Sequence, residues 1–225
     1  MKTRTKFILG AVFAVLFAVI IVLVKSVDVS AIGAEGTSVG ASAFNKAVHD
    51  ASGVNMTLYK IAEYLGYAAL ILCVFFAGIG LWQIIKRRGI FKADKTIYAL
   101  GGLYIVTIAL YALFEKVVVN FRPIIMPGDE HVEASFPSSH TVLAIVVMGS
   151  AIILARYYIK NTTLRRALQA VCAAVLILTV LFRLWSGVHW VTDIIGGIFI
   201  ACSLLSIWAG IFDLTSSSDG LDMKH

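Results

Sequence analysis

Two short stretches hold most of the residues whose types and spacing suit chemistry. In one, Arg183 is followed after five residues by His189, and Asp193 comes three residues beyond that. His189 and Asp193 are four apart at the start of an apolar run, so on a helix they share one face. The acid can accept a hydrogen bond from one ring nitrogen. That sets the tautomer and leaves the other nitrogen free to attack an electrophile. In the other stretch, Arg122-Pro123 precedes Pro137-Ser138-Ser139-His140, which leads straight into a second apolar run. A helix starting there offers unpartnered backbone N–H groups and a partial positive charge, both suited to an anion. Arg122 and Arg183 add planar guanidinium groups that fork onto phosphate-like oxygens. Two histidines, two arginines, a serine and a helix N-terminus describe an oxyanion site with a nucleophile and a spare acid.

Each residue alone has a plainer role. A histidine or arginine at an interface can simply be amphipathic, Ser138 can be only a helix cap, and the prolines can shape a loop. His49 and His225 are expected to carry no chemistry. His131, within Asp129-Glu130-His131-Val132-Glu133, is expected in a solvated loop, because the spacing suits mobile residues better than fixed metal ligands. The combination and order of the residues carry the argument.

The elements that position them follow from composition. The chain is 60% hydrophobic and 14% charged, with mean hydropathy +0.90. Soluble domains are nearer half apolar and a quarter charged, so lipid is the expected solvent. The net charge of +6 lies between apolar runs instead of on a polar face, which argues against nucleic acid as a partner. Cys73, Cys172 and Cys202 all fall inside apolar runs and read as small buried hydrophobes.

Crossing a bilayer takes about 20 apolar residues. Six segments qualify: residues 7–24, 64–85, 96–114, 141–159, 167–182 and 194–212, the fifth extended by Leu184 and Trp185. They must be helical, since a lipid-exposed backbone has to satisfy its own hydrogen bonds. The expected fold is therefore an all-α integral membrane bundle of six transmembrane helices. It is one domain over residues 1–225 with its core at about 60–212. Residues 26–55 read as a loop or short interfacial helix, and residues 214–225 as a disordered tail. The first run could instead be a signal peptide, with Val29-Ser30-Ala31 as a cleavage site, but its length favours a retained helix.

Lys and Arg set orientation. Lys2, Arg4 and Lys6, then Lys86 to Lys95, then Arg156 to Arg166 all fall on one side of a six-span layout, assigned to the cytoplasm with both termini. The reactive stretches fall on the outer side.

Together these residues resemble the type 2 phosphatidic acid phosphatase family, which includes bacterial undecaprenyl-pyrophosphate phosphatases and is related to vanadium haloperoxidases. That family's signature is a Lys followed after six residues by Arg-Pro, then Pro-Ser-Gly-His, then Ser-Arg, five residues, His, three residues and Asp. The matches are Arg122-Pro123, Pro137-Ser138 with His140, and Arg183 with His189 and Asp193. There are three departures. Glu115 stands where the Lys is expected and Lys116 one residue later, a displacement of about 100° on a helix. Ser139 replaces the Gly, and Phe182 replaces the Ser.

The resemblance implies a phosphatase acting on a lipid phosphate without cofactor or metal. In it, His189 attacks phosphorus, Asp193 orients His189, and His140 protonates the leaving oxygen. Arg122, Arg183, Ser138, Ser139 and Lys116 are the candidates to hold the phosphoryl oxygens. Undecaprenyl pyrophosphate, phosphatidylglycerophosphate and phosphatidate fit equally. A phosphotransferase would share every motif. A transporter would need ionisable residues deep in its spans, where this chain has almost none.

Overall fold

The computed structural model describes residues 1–216. It is all-helical among the described residues: α1 (Thr3–Ser26), α2 (Ser42–Ser52), α3 (Met56–Lys86), α4 (Lys95–Lys116), α5 (Ser139–Tyr158), α6 (Thr162–Trp185) and α7 (Val191–Ser216), with one 3-10 turn at Ala34–Gly36. All except α2 are long and apolar enough to cross a membrane, so the protein is a multi-pass membrane protein of six spans.

Helices α5 and α7 form the centre. Most of α5 is buried, while α1, α3, α4 and α6 turn apolar side chains such as Ile71, Val74, Ile105 and Val171 outward, where lipid takes the place of protein. The central cluster joins Leu100 and Leu103 of α4, Val146 and Leu154 of α5, and Trp208 and Phe212 of α7. α1 lies along α7. Ser203 Oγ donates to the Gly10 carbonyl at 2.8 Å, and Lys6 Nζ pairs with Asp213 at 2.7 Å.

Helix limits differ from the hydropathy limits wherever polar caps act. α3 starts eight residues before the expected span because the Asn55 side chain accepts from the Thr57 and Leu58 N–H groups. Asn161 caps α6 in the same way, accepting from Leu164. Residues 26–55 hold the helix α2, whose first turn is held by Asp28: Ser42 Oγ donates to it at 3.0 Å and the Ala43 N–H at 2.7 Å. Those bonds, the Ala43 N–H first, keep the Asp28 carboxyl below its usual range. The tail expected from residue 214 is a correction in part: Leu214 to Ser216 continue α7, and the remainder lies outside the described residues.

The segments that follow α1, α4 and α6 meet at one end of the bundle. Lys25 Nζ donates to the Val118 carbonyl, the Asn55 N–H to the Ser186 carbonyl, and the Val132 N–H to Glu35. That last bond, and then His131, hold the Glu35 carboxyl below its usual range. The basic residues of the chain's start and of the α3–α4 turn lie at the other end, where Arg87 pairs with Asp94 at 2.6 Å.

Candidate active site

The segment between α4 and α5 folds back on itself and fixes Arg122. Phe121 bridges to Ala134, the Arg122 N–H donates to the Glu133 carbonyl at 3.0 Å, and the Ser135 N–H donates to the Asn120 carbonyl at 2.9 Å. Phe136 then wedges between Phe17 and Phe114, with ring centroids 5.7 Å and 6.1 Å away, and lies against Gly196 of α7. A Cβ at Gly196 would come within 2.4 Å of that ring, so only glycine admits it. At the next residue, Gly197, the start of α5 crosses the start of α7, with Thr141 and the Ser138 carbonyl close by. This crossing brings the two reactive stretches together.

His189 lies between α6 and α7 and is almost fully buried. Its Nε2 stands 3.3 Å from Arg122 Nη1. A guanidinium has only N–H donors, so Nε2 must be the acceptor, and the proton of a neutral ring sits on Nδ1. Nδ1 is 3.6 Å from Asp193 Oδ2, which is ion-pair range but longer than a hydrogen bond. Asp193 is itself held by the Trp190 N–H at 3.0 Å and by Asn120 Nδ2 at 3.2 Å. Burial, then the charges of Arg122 and Arg183, push the His189 imidazole well below its ordinary titration range. It is thus neutral, the form that can act as a nucleophile.

Arg122 also reaches Glu133 through Nε at 3.1 Å and the Val188 carbonyl through Nη1 at 3.4 Å. Together with His189, His140 and Ser139 it lines a cavity of about 370 Å³. The same cavity is lined by the apolar side chains of Leu70 of α3, Ile108 of α4, Leu143 of α5 and Ile200 of α7.

The other sequence candidates are placed as follows. Asp193 lies behind His189. Ser138 is fully buried at the start of α5; its N–H donates to the Asp193 carbonyl and its hydroxyl accepts from Thr141 at 3.0 Å. Arg183 is buried beneath the Tyr59 ring, 4.7 Å from its centroid, with Nε and Nη1 unpartnered among the described residues. It does not line the cavity. Lys116, at the end of α4, is exposed and lies off the cavity, whereas Glu115 lines it. Three residues of this neighbourhood escaped the sequence reading: Asn120, Trp190 and Tyr59. Asn120 sits two residues before Arg122, a spacing that in an extended segment puts both side chains on one face. Trp190 and Tyr59 read as membrane-interface aromatics.

Residues 97–215, over half of the chain, match the family model of the PAP2 superfamily. The chain belongs to this superfamily. The resemblance read from the motifs is thereby borne out, and the PAP2 match spans all the candidate residues from Lys116 to Asp193. Among solved structures, the fold is similar to a transmembrane PAP2-type phosphatidylglycerolphosphate phosphatase from Bacillus subtilis. The likeness has a TM-score of 0.61 at 16% identity and covers 94% of this chain and 96% of that one. Comparison with curated proteins returns no match. α1, α2 and the whole of α3 precede the PAP2-matched range, yet α2 and α3 touch the site through Asn45 and Tyr59.

Proposed function

We propose that this PAP2 protein is a membrane lipid phosphatase that hydrolyses a phosphate monoester or pyrophosphate through a phosphohistidine at His189. One observation carries the reading: a single cavity holds a neutral, guanidinium-faced histidine together with apolar side chains from four spans. A lipid tail can rest in the apolar part while its phosphate meets the histidine.

In the first step the Nε2 lone pair attacks phosphorus, and the P–O bond to the lipid breaks. His140, which lines the same cavity as His189, donates the proton to the leaving oxygen. In the second step His140 takes a proton from water, whose oxygen displaces Nε2 and releases phosphate. Arg122, the free N–H groups at the start of α5 and an inward-turned Arg183 stabilise the phosphoryl oxygens, the main demand in phosphoryl transfer. Asp193 balances the positive charge that His189 gains. Guanidinium and backbone donors supply this charge without a metal. The site faces outward and α1 is retained; the basic loops at the opposite end support the first point and the packing of α1 along α7 supports the second.

The test is phosphate release from a panel of lipid phosphates by purified protein, wild type against His189→Ala, with and without chelator. Wild type should release phosphate, with or without chelator, and form an acid-labile, base-stable phosphoenzyme; the variant should do neither. Turnover by His189→Ala at the wild-type rate would defeat the assignment. Transfer of label to an added lipid or sugar alcohol in place of water would make the protein a phosphotransferase.

A further inference from the structure

We propose that Asn45 of α2 is a positioning residue for the nucleophile, acting as the missing cap of the helix that begins next to it; the inference rests on the reading of His189 above. α7 starts immediately after His189-Trp190, and a helix start leaves backbone N–H groups without partners. Ser, Thr, Asp or Asn before the first turn normally accepts from them. Here that position is Trp190, whose side chain has no acceptor. The partner comes from 147 residues away: the Thr192 N–H donates to Asn45 Oδ1 at 3.2 Å. Asn45 Nδ2 donates in turn to Thr192 Oγ1 at 3.0 Å and to the Gly40 carbonyl at 2.8 Å. Asn45 is completely buried, and its amide oxygen and nitrogen are both engaged.

The reciprocal half of a capping box is present as well. Asp193, three residues after Trp190, accepts the Trp190 N–H through Oδ2, the same oxygen that faces His189 Nδ1. The direction of the Asp193 carboxylate is therefore a property of the first turn of α7, and Asn45 holds that turn closed. One turn further along α2, the His49 ring lies 5.4 Å from the Trp190 ring. Trp190 Nε1 donates to the Phe121 carbonyl at 2.8 Å, next to Arg122. A chain of contacts thus runs from α2 to both His189 and Arg122.

The experiment compares wild type, N45A and N45D as folded, monodisperse protein in detergent, with a short-chain lipid phosphate as substrate. A displacement of about 1 Å at a reacting group costs about 10²-fold, so N45A should lose about ten-fold or more in kcat with KM within about two-fold. N45D keeps an oxygen acceptor for the Thr192 N–H but turns a carboxylate oxygen toward the Gly40 carbonyl, so it should also fall below wild type. Wild-type kcat in N45A or in N45D would overturn the inference. So would a loss explained by the folded fraction alone. If N45A does not fold, N45S measures the same quantity, since its hydroxyl is too short to reach Thr192, and wild-type kcat there overturns the inference equally. Wild type and His189→Ala in the same assay separate the two ideas. If they behave as proposed and the Asn45 variants do not, only this inference fails.

Discussion

Replacing Arg122 by Lys keeps the charge and removes the fork, so it isolates what the guanidinium geometry contributes. Arg122 holds three partners from two nitrogens: Glu133 through Nε, and Val188 and His189 through Nη1. A lysine has a single ammonium on a flexible stem and cannot face His189 while anchored to Glu133. At a bound phosphoryl group the fork would supply two charge-assisted hydrogen bonds, each worth about 1.5–3 kcal/mol, and the ammonium restores at most one. A net loss of about 1.5–3 kcal/mol in the transition state is about 10- to 10²-fold in kcat/KM. The Glu133 carboxylate is about half exposed, so its own pair with Arg122 contributes little, and Glu133→Gln should change kcat/KM by less than about three-fold. Phosphate release from a short-chain lipid phosphate across a range of concentrations reads both values. If Arg122→Lys keeps more than about a third of wild-type kcat/KM, the placement of Arg122 at the phosphoryl group is refuted, because an unforked cation should not serve there equally well.

Two further expectations follow from the same geometry. His140→Ala should bind a lipid phosphate nearly as well as wild type but turn it over about 10²–10⁴-fold more slowly, as measured by equilibrium binding against steady-state release. The pH dependence follows from His189, whose folded titration point lies well below its ordinary value of 6.5. The unfolded chain binds its proton first as pH falls, so the stabilising contribution is complete above about pH 6.5 and declines below it. Thermal unfolding in detergent should show Tm falling on acidification from about pH 6.5, and the acid limb of kcat/KM set by the nucleophile should lie below that point. A Tm flat down to about pH 4 would contradict the burial of a neutral His189.

The six spans were legible because hydropathy records the solvent directly, and α1, α4, α5 and α7 start and stop within a few residues of the apolar runs. The extra length of α3 and the existence of α2 were harder to read, since both depend on polar contacts invisible to hydropathy: Asn55 capping its own helix and Asp28 holding the first turn of α2. In the site, His140, His189 and Arg122 were legible as spacing because each sits at or beside a helix start or in a short fold-back, where sequence distance translates into space. Arg183 was legible as a type but not as a place; its position at the end of α6 puts it under Tyr59, a contact between helices more than a hundred residues apart in sequence.

The end of α4 shows how one residue of register decides chemistry. Glu115 and Lys116 are adjacent, and the turn of the helix puts the acid on the cavity wall and the base outside it. Any phosphate entering that cavity meets a carboxylate on the α4 side, so attraction must come from the other groups on its wall, Arg122 and the start of α5. Positive charge here is concentrated on few groups, each held by long-range contacts. That is why the Arg122 fork, a fixed geometry, should count for more than a lysine of equal charge.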